Sequence, residues 1–181
     1  MKAANANQNN GLVPAWNNSA GDPVPGFSGA PIHFQYDSCR TPFRIGKDWY
    51  FFGEPRAKQY LDKINSFYVP IGAAHITDGY DLNGNTRPQY NTGGAEPTGQ
   101  SAAFVAPATM GAMDVPGQSA FVQEAYDRLK TNTLLIGGPY YDQCWTVMGM
   151  LWASGNYLNY VPRPTPTPTP DVCQFRVKVN A

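Results

Sequence analysis

Apolar positions fall into helical spacing along most of this chain. Ala57, Tyr60, Leu61, Ile64, Phe67 and Tyr68 recur at i, i+3, i+4 and i+7 behind Pro55, which suits the first turn of a helix. Residues 43–52, FRIGKDWYFF, predict a second, mostly buried helix. Residues 100–113 are small and apolar and suit a tightly packed helix, with Pro107 expected to end or kink it. Ser119 is the expected N-cap of a helix carrying Phe121, Val122, Ala125, Tyr126 and Leu129. Residues 141–154 are apolar nearly all round and stop at Gly155, so that helix should be buried on most sides.

Between these segments lie loops. Residues 17–31 and 77–98 are rich in Gly, Asn, Ser, Thr and Pro, which punctuate regular structure. No convincing strand precedes residue 160, so the expected fold class is all-α, with irregular loops gathered where function tends to reside. The pattern changes at residues 161–170, where Pro and Thr alternate. Such a run cannot form helix or sheet ladders and reads as a stiff, extended linker. Beyond it, Phe175, Val177 and Val179 alternate with Arg176, Lys178 and Asn180, the period of a half-buried strand. One strand does not fold alone, so residues 171–181 read as the start of a second, β-type module, for which carbohydrate binding is the expectation, behind a domain covering 1–160.

Composition narrows the function. Charged residues are 14% of the chain and the formal net charge is zero, which argues against a nucleic-acid partner. No run of like charge marks a membrane surface, and no apolar run of about 18 residues reads as a span. Tyr, Trp, Asn, Gly and Thr are plentiful. Aromatic rings and amides suit neutral sugars, whose rings present apolar faces beside hydroxyls, and such a composition is common in secreted proteins that act on carbohydrate. A generic extracellular protein would share it.

Cys39, Cys144 and Cys173 are odd in number and lack metal-ligand spacing, and His33 and His75 are isolated. Neither a metal nor another cofactor is expected. Residues 1–10 lack the apolar core of a signal peptide.

Six short segments, in order, carry a resemblance. Tyr36-Asp37-Ser38-Cys39-Arg40-Thr41-Pro42-Phe43-Arg44 resembles the Y-D-A-[CST]-R-x-P-W-R segment of family 8 glycoside hydrolases. Residues 11–16, GLVPAW, are similar to G-L-V-P-D-W, and residues 53–58, GEPRAK, to G-D-x-R-A-K. Asp78-Gly79-Tyr80 looks like V-D-G-Y, and residues 101–107, SAAFVAP, like N-A-x-F-x-G-P. Tyr140-Tyr141 with residues 154–157, SGNY, looks like Y-Y…T-G-N-F. The resemblance implies an (α/α)6 barrel, of which this chain would supply the C-terminal half. It also implies a monomeric, secreted enzyme that cuts a β-1,4-linked polysaccharide with inversion. Glucan is the favoured substrate, with xylan or chitosan as alternatives.

The resemblance further implies that Asp37 is the general base, that Tyr36 and Arg40 line the cleft beside it, and that Tyr141 offers a ring to a sugar. Physical chemistry supports the first role. A carboxylate just ahead of a helix, with Arg40 and Arg44 nearby, should stay ionised and oriented. The plainer alternative is that Asp37 is an N-cap salt-bridged to Arg40, and Tyr141 an ordinary core tyrosine. Asp78 reads as a residue that shapes its loop. The family's general acid, a glutamate in an E-G-x-S-Y-G segment, has no counterpart among Glu54, Glu96 and Glu124. The chain is therefore expected to be part of a longer product and to be inactive alone. A second hypothesis is a non-catalytic carbohydrate-binding or scaffold protein that kept the cleft and lost the chemistry.

Overall fold

A computed structural model describes residues 9–26, 29–88, 99–131 and 140–159. The linker and the following strand-like segment lie outside the described residues, as do Glu96 and Cys173. Among the described residues the order is β1 (His33–Phe34), α1 (Thr41–Phe52), α2 (Pro55–Ile71), a 3-10 turn (Ala73–His75), β2 (Tyr80–Asp81), α3 (Ala102–Ala112), α4 (Ser119–Leu129) and α5 (Tyr140–Ala153).

The core is organised around α3. Every residue of this helix is buried, and it packs against α1, α2, α4 and α5. Small side chains let its neighbours approach closely. A Cβ on Gly46 of α1 would meet the Met110 carbonyl of α3 at 2.9 Å. A Cβ on Gly149 of α5 would meet the Ala106 Cβ of α3 at 2.7 Å. The helix continues through Pro107 rather than ending there. Packing on four sides outweighs the one backbone hydrogen bond that proline removes.

The α2 periodicity is realised as read. Pro55 opens the helix, Glu54 caps it by accepting from the Arg56 amide at 3.1 Å, and Ala57, Tyr60, Leu61, Ile64 and Tyr68 are buried. α1 departs from expectation, because only Pro42, Gly46 and Phe51 are fully buried. It packs against α2 and α3, and its aromatic residues Phe43, Tyr50 and Phe51 meet Trp145 or Trp152 of α5, while Arg44, Asp48 and Phe52 stay exposed. In α4 the N-cap is Gln118, without a side-chain cap bond, and Ser119 is the first helical residue. That shift of one position is within the usual fraying of helix ends.

α5 departs further. It ends near Gly155, which adopts the expected left-handed conformation at φ +74°. One face, with Asp142, Trp145, Thr146, Gly149 and Trp152, is buried. The other leaves Tyr140, Val147 and Leu151 open, because no described element of this chain lies over it. The expectation of burial on most sides is corrected to burial on one.

The absence of strands is also corrected, on a small scale. His33 pairs with Asp81 and Phe34 with Tyr80 in an antiparallel two-stranded ladder. Two residues per strand are too few to leave an alternating signature. The ladder matters because it ties the segment before Tyr36 to the loop that carries Asp78.

Candidate active site

The turn after β1 carries Tyr36, Asp37 and Arg40. Its geometry follows from short-range hydrogen bonds. The Ser38 and Cys39 amides both donate to the Gln35 carbonyl at 2.8 Å. Ser38 Oγ accepts from the Gln35 amide at 2.8 Å and donates to the Gln35 carbonyl at 3.0 Å. Cys39 Sγ donates to the Tyr36 carbonyl at 3.1 Å. Burial pushes the Cys39 thiol well above its ordinary range, so it stays protonated and serves as a packed donor.

Asp37 points outward from this turn with its side chain 50% exposed. Arg40 Nη2 donates to Asp37 Oδ1 at 2.8 Å. With both partners open to solvent, such a pair is worth at most about 1 kcal/mol of stability. Its effect is to orient the carboxylate. The N-cap of α1 is Arg40, with no side-chain cap bond, so Asp37 is not the cap of that helix. The salt-bridge half of the plain alternative is present and the capping half is absent. Among the described residues no ion pair joins Arg44 to Asp37, and Arg44 is exposed.

Tyr36 is fixed at both ends. Its ring meets Phe104 of α3 edge-on at 5.2 Å, and its hydroxyl donates to Asp78 Oδ2 at 3.1 Å. Burial raises the phenol well above its ordinary range, the Ser101 hydroxyl bonded to it opposes the shift, and the nearby Asp78 carboxylate adds to it. Tyr36 is therefore a neutral donor at any working pH. Tyr141 of α5 stands with its ring 6.2 Å from that of Tyr36 and 38% exposed. Burial also raises its phenol, and the Arg40 charge opposes that shift. Tyr36, Asp37, Arg40 and Tyr141 thus come together from two segments about a hundred positions apart. Tyr141 is not an ordinary core tyrosine, since one side of its ring is open.

Behind this cluster lies a polar group that the sequence reading did not assemble. Asp78 and Asp142 are 0% and 2% exposed. Asp78 also ties down its own loop, where its amide donates to the Gly99 carbonyl at 2.6 Å, so its reading as a loop-shaping residue holds alongside its bond to Tyr36. Asp142 Oδ1 accepts from the Ser101 hydroxyl and, at 3.3 Å, from the Ala103 amide. Ser101 is at the same time the N-cap of α3, accepting from Ala103 at 3.1 Å. The available signal was a lone acid in an otherwise apolar helix. Glu54 is paired with Arg56 and Glu124 accepts from Ala74, each away from this cluster. Among the described residues no group of three or more His, Cys, Asp or Glu side chains is arranged to hold a metal.

The family model for glycosyl hydrolases family 8 matches residues 1–155, and the chain belongs to that family. It is 28% identical over 169 residues to endoglucanase C of Ruminiclostridium cellulolyticum, covering 92% of this chain and 34% of that protein. It is 30% identical over 130 residues to a beta-glucanase of Niallia circulans, covering 70% of this chain and 29% of that protein. Among solved structures, the apo beta-1,3-1,4-glucanase from Paenibacillus sp. X4 superposes with a TM-score of 0.71 at 26% identity, over 88% of this chain and 42% of that one. Rex8A from Paenibacillus barcinonensis, complexed with xylose, superposes with a TM-score of 0.64 at 28% identity, over 85% and 39%. The fold is thus part of an (α/α)6 barrel, and the chain spans about a third of the length of the curated relatives it matches.

Proposed function

We propose that this chain is the base-bearing portion of a secreted, monomeric endo-acting glycoside hydrolase that cleaves β-1,4-glucan with inversion. The observation that carries the reading is the Asp37 carboxylate, half open to solvent and held by Arg40, in a turn whose Tyr36 ring lies 6.2 Å from that of Tyr141. In inverting hydrolysis a carboxylate takes a proton from water as that water attacks the anomeric carbon. A carboxylic acid on the other face protonates the departing oxygen, and the two groups stand roughly 6.5–9.5 Å apart to admit the water. Asp37 is suited to the first task because Arg40 holds it while its side chain stays 50% exposed to the water it would activate. Tyr141 offers a partly open aromatic face on which a glucosyl ring can stack. The acid is supplied by a part of the family domain outside these residues, since Glu54, Glu96 and Glu124 lack its motif. Similarity to an endoglucanase and a beta-glucanase supports glucan, and similarity to Rex8A, solved with xylose, makes xylan the substrate to test beside it.

The test is hydrolysis of carboxymethylcellulose, lichenan, xylan and chitosan by the gene product that contains this chain, beside its Asp37→Asn variant. The expected result is preference for the glucans and a rate loss of about 10²–10⁴-fold in the variant. Normal turnover by Asp37→Asn would overturn the assignment, and glucan binding without cleavage by the parent would point to a carbohydrate-binding protein instead.

A further inference from the structure

The β1–β2 ladder sets His33 opposite Asp81 and Phe34 opposite Tyr80. Carried further toward the turn, the same register puts Tyr36 opposite Asp78. There the rung is made by side chains: the Tyr36 hydroxyl donates to Asp78 Oδ2 at 3.1 Å. Asp78 is fully buried, and an acid is a costly residue to bury for shape alone. Its loop is held without the carboxylate. The Asp78 amide donates to the Gly99 carbonyl at 2.6 Å, and the Thr77 amide to the Tyr80 hydroxyl at 2.8 Å. The carboxylate is thus available to grip Tyr36.

The other end of Tyr36 is its carbonyl, which accepts from Cys39 Sγ at 3.1 Å. That carbonyl and the Asp37 amide belong to one planar peptide unit, so holding the carbonyl sets the plane from which Asp37 departs. Burial keeps the Cys39 thiol protonated, so the donor is always present. Between the two ends the Tyr36 ring rests edge-on against Phe104 of α3. A tyrosine side chain has only two torsions, so releasing its hydroxyl lets the ring pivot and loosens the peptide that joins Tyr36 to Asp37.

We propose that Asp78 is a positioning residue for the base: with Cys39 it anchors Tyr36 at hydroxyl and carbonyl, and so holds the peptide that carries Asp37 toward its water. The proposal rests on the hydrolase reading above. Arg40 orients the Asp37 carboxylate on the outside of the turn, while Asp78 and Cys39 place its backbone from the inside.

The experiment uses the gene product that carries these residues together with the rest of its family 8 domain. Asp78→Ala should lower kcat about 10–100-fold, the scale of loss from a catalytic group misplaced by up to 1 Å, with KM within about threefold. Asp78→Asn keeps an acceptor oxygen for the Tyr36 hydroxyl and should recover most of the lost rate. Tyr36→Phe should reproduce the loss in kcat, and Tyr36→Phe with Asp78→Ala should be little slower than either alone, because both cut one bond. A residue that only shapes its loop would give independent, additive losses. If Asp78→Ala does not fold, Cys39→Ala against Cys39→Ser asks the same question at the other anchor, with only the serine retaining the rate. Unchanged kcat in Asp78→Ala or Cys39→Ala, an equally deep loss in Asp78→Asn, or full additivity with Tyr36→Phe overturns the proposal. Loss of activity in Asp37→Asn beside such a result leaves the hydrolase reading standing, whereas full activity in Asp37→Asn removes that reading first.

Discussion

Arg40 Nη2 donates to Asp37 Oδ1 at 2.8 Å and to the Asp37 carbonyl at 3.4 Å, three residues apart in one turn, with both side chains partly open to solvent. The position of this pair is more informative than its strength. It lies on the outer edge of a turn whose inner edge is sealed by Gln35, Ser38 and Cys39.

Arg40 should therefore matter to turnover much more than to folding. Arg40→Gln is expected to change unfolding free energy by less than about 1 kcal/mol, as exposed pairs do. In the gene product that contains this chain it should lower kcat by about tenfold or more, by releasing the candidate base. Urea unfolding of the chain and steady-state rates on lichenan check the two halves separately. A drop in stability without a drop in rate would mean that Arg40 serves the fold only.

The interior of the helical layer was legible to different degrees. The α2 stripe was clear because one flank of that helix faces the core and the other faces water, which is the condition periodicity detects. α3 was visible as a helix but not as the centre, since a segment buried all round has no phase. Pro107 misled because local propensity cannot register packing on four sides. α5 misled in the opposite direction: its apolar residues are real, but part of them faces outward in this chain. At the site, Asp37, Arg40, Tyr36 and Tyr141 were found through short motifs. Asp142 and Ser101 were not grouped, because a contact between residues 41 positions apart leaves no local mark.

The outward face of α5 has its own consequence. Tyr140 is 82% exposed, and Val147 and Leu151 follow along the same helix at spacings of seven and four. Val147 and Leu151 also line, with Tyr126, Met150 and Ser154, a shallow groove against α4. An apolar strip of this kind promotes association. The 181-residue chain is expected to self-associate and to bind a hydrophobic dye. Val147→Lys with Leu151→Glu should reduce both without unfolding α5, as judged by light scattering and circular dichroism. Monodisperse behaviour of the parent chain would contradict this.

The closeness of α5 to α3 gives a sharper test of packing. Gly149 leaves no room for a side chain, because an added Cβ would lie 2.7 Å from Ala106 Cβ and 2.8 Å from Leu129 Cδ1. Gly149→Ala should destabilise the chain by about 1–3 kcal/mol despite improving helix propensity. Gly149→Val should cost more. Denaturant midpoints measured at constant m-value decide it. A stabilised Gly149→Ala would mean that the two helices can separate at little cost.

Tyr60 offers a prediction with a defined pH window. Its ring is buried in the α2 face, and its hydroxyl has no hydrogen-bond partner among the described residues. A buried hydroxyl of this kind costs about 1–3 kcal/mol. Tyr60→Phe keeps the ring and removes the cost, so it should be neutral or stabilising near pH 7. Burial also raises the phenol pKa of Tyr60, and of Tyr68 beside it, above the ordinary value of about 10. The folded state then binds more protons than the unfolded state once pH exceeds that ordinary value. Stability is fully retained below it and falls as pH rises toward the folded-state values. The chain should therefore unfold cooperatively at alkaline pH, with phenolate absorbance appearing together with the loss of helical signal. Tyr60→Phe should move that transition to higher pH. Phenolate absorbance from all tyrosines well before the helical signal changes would show that these rings are not sealed in the core.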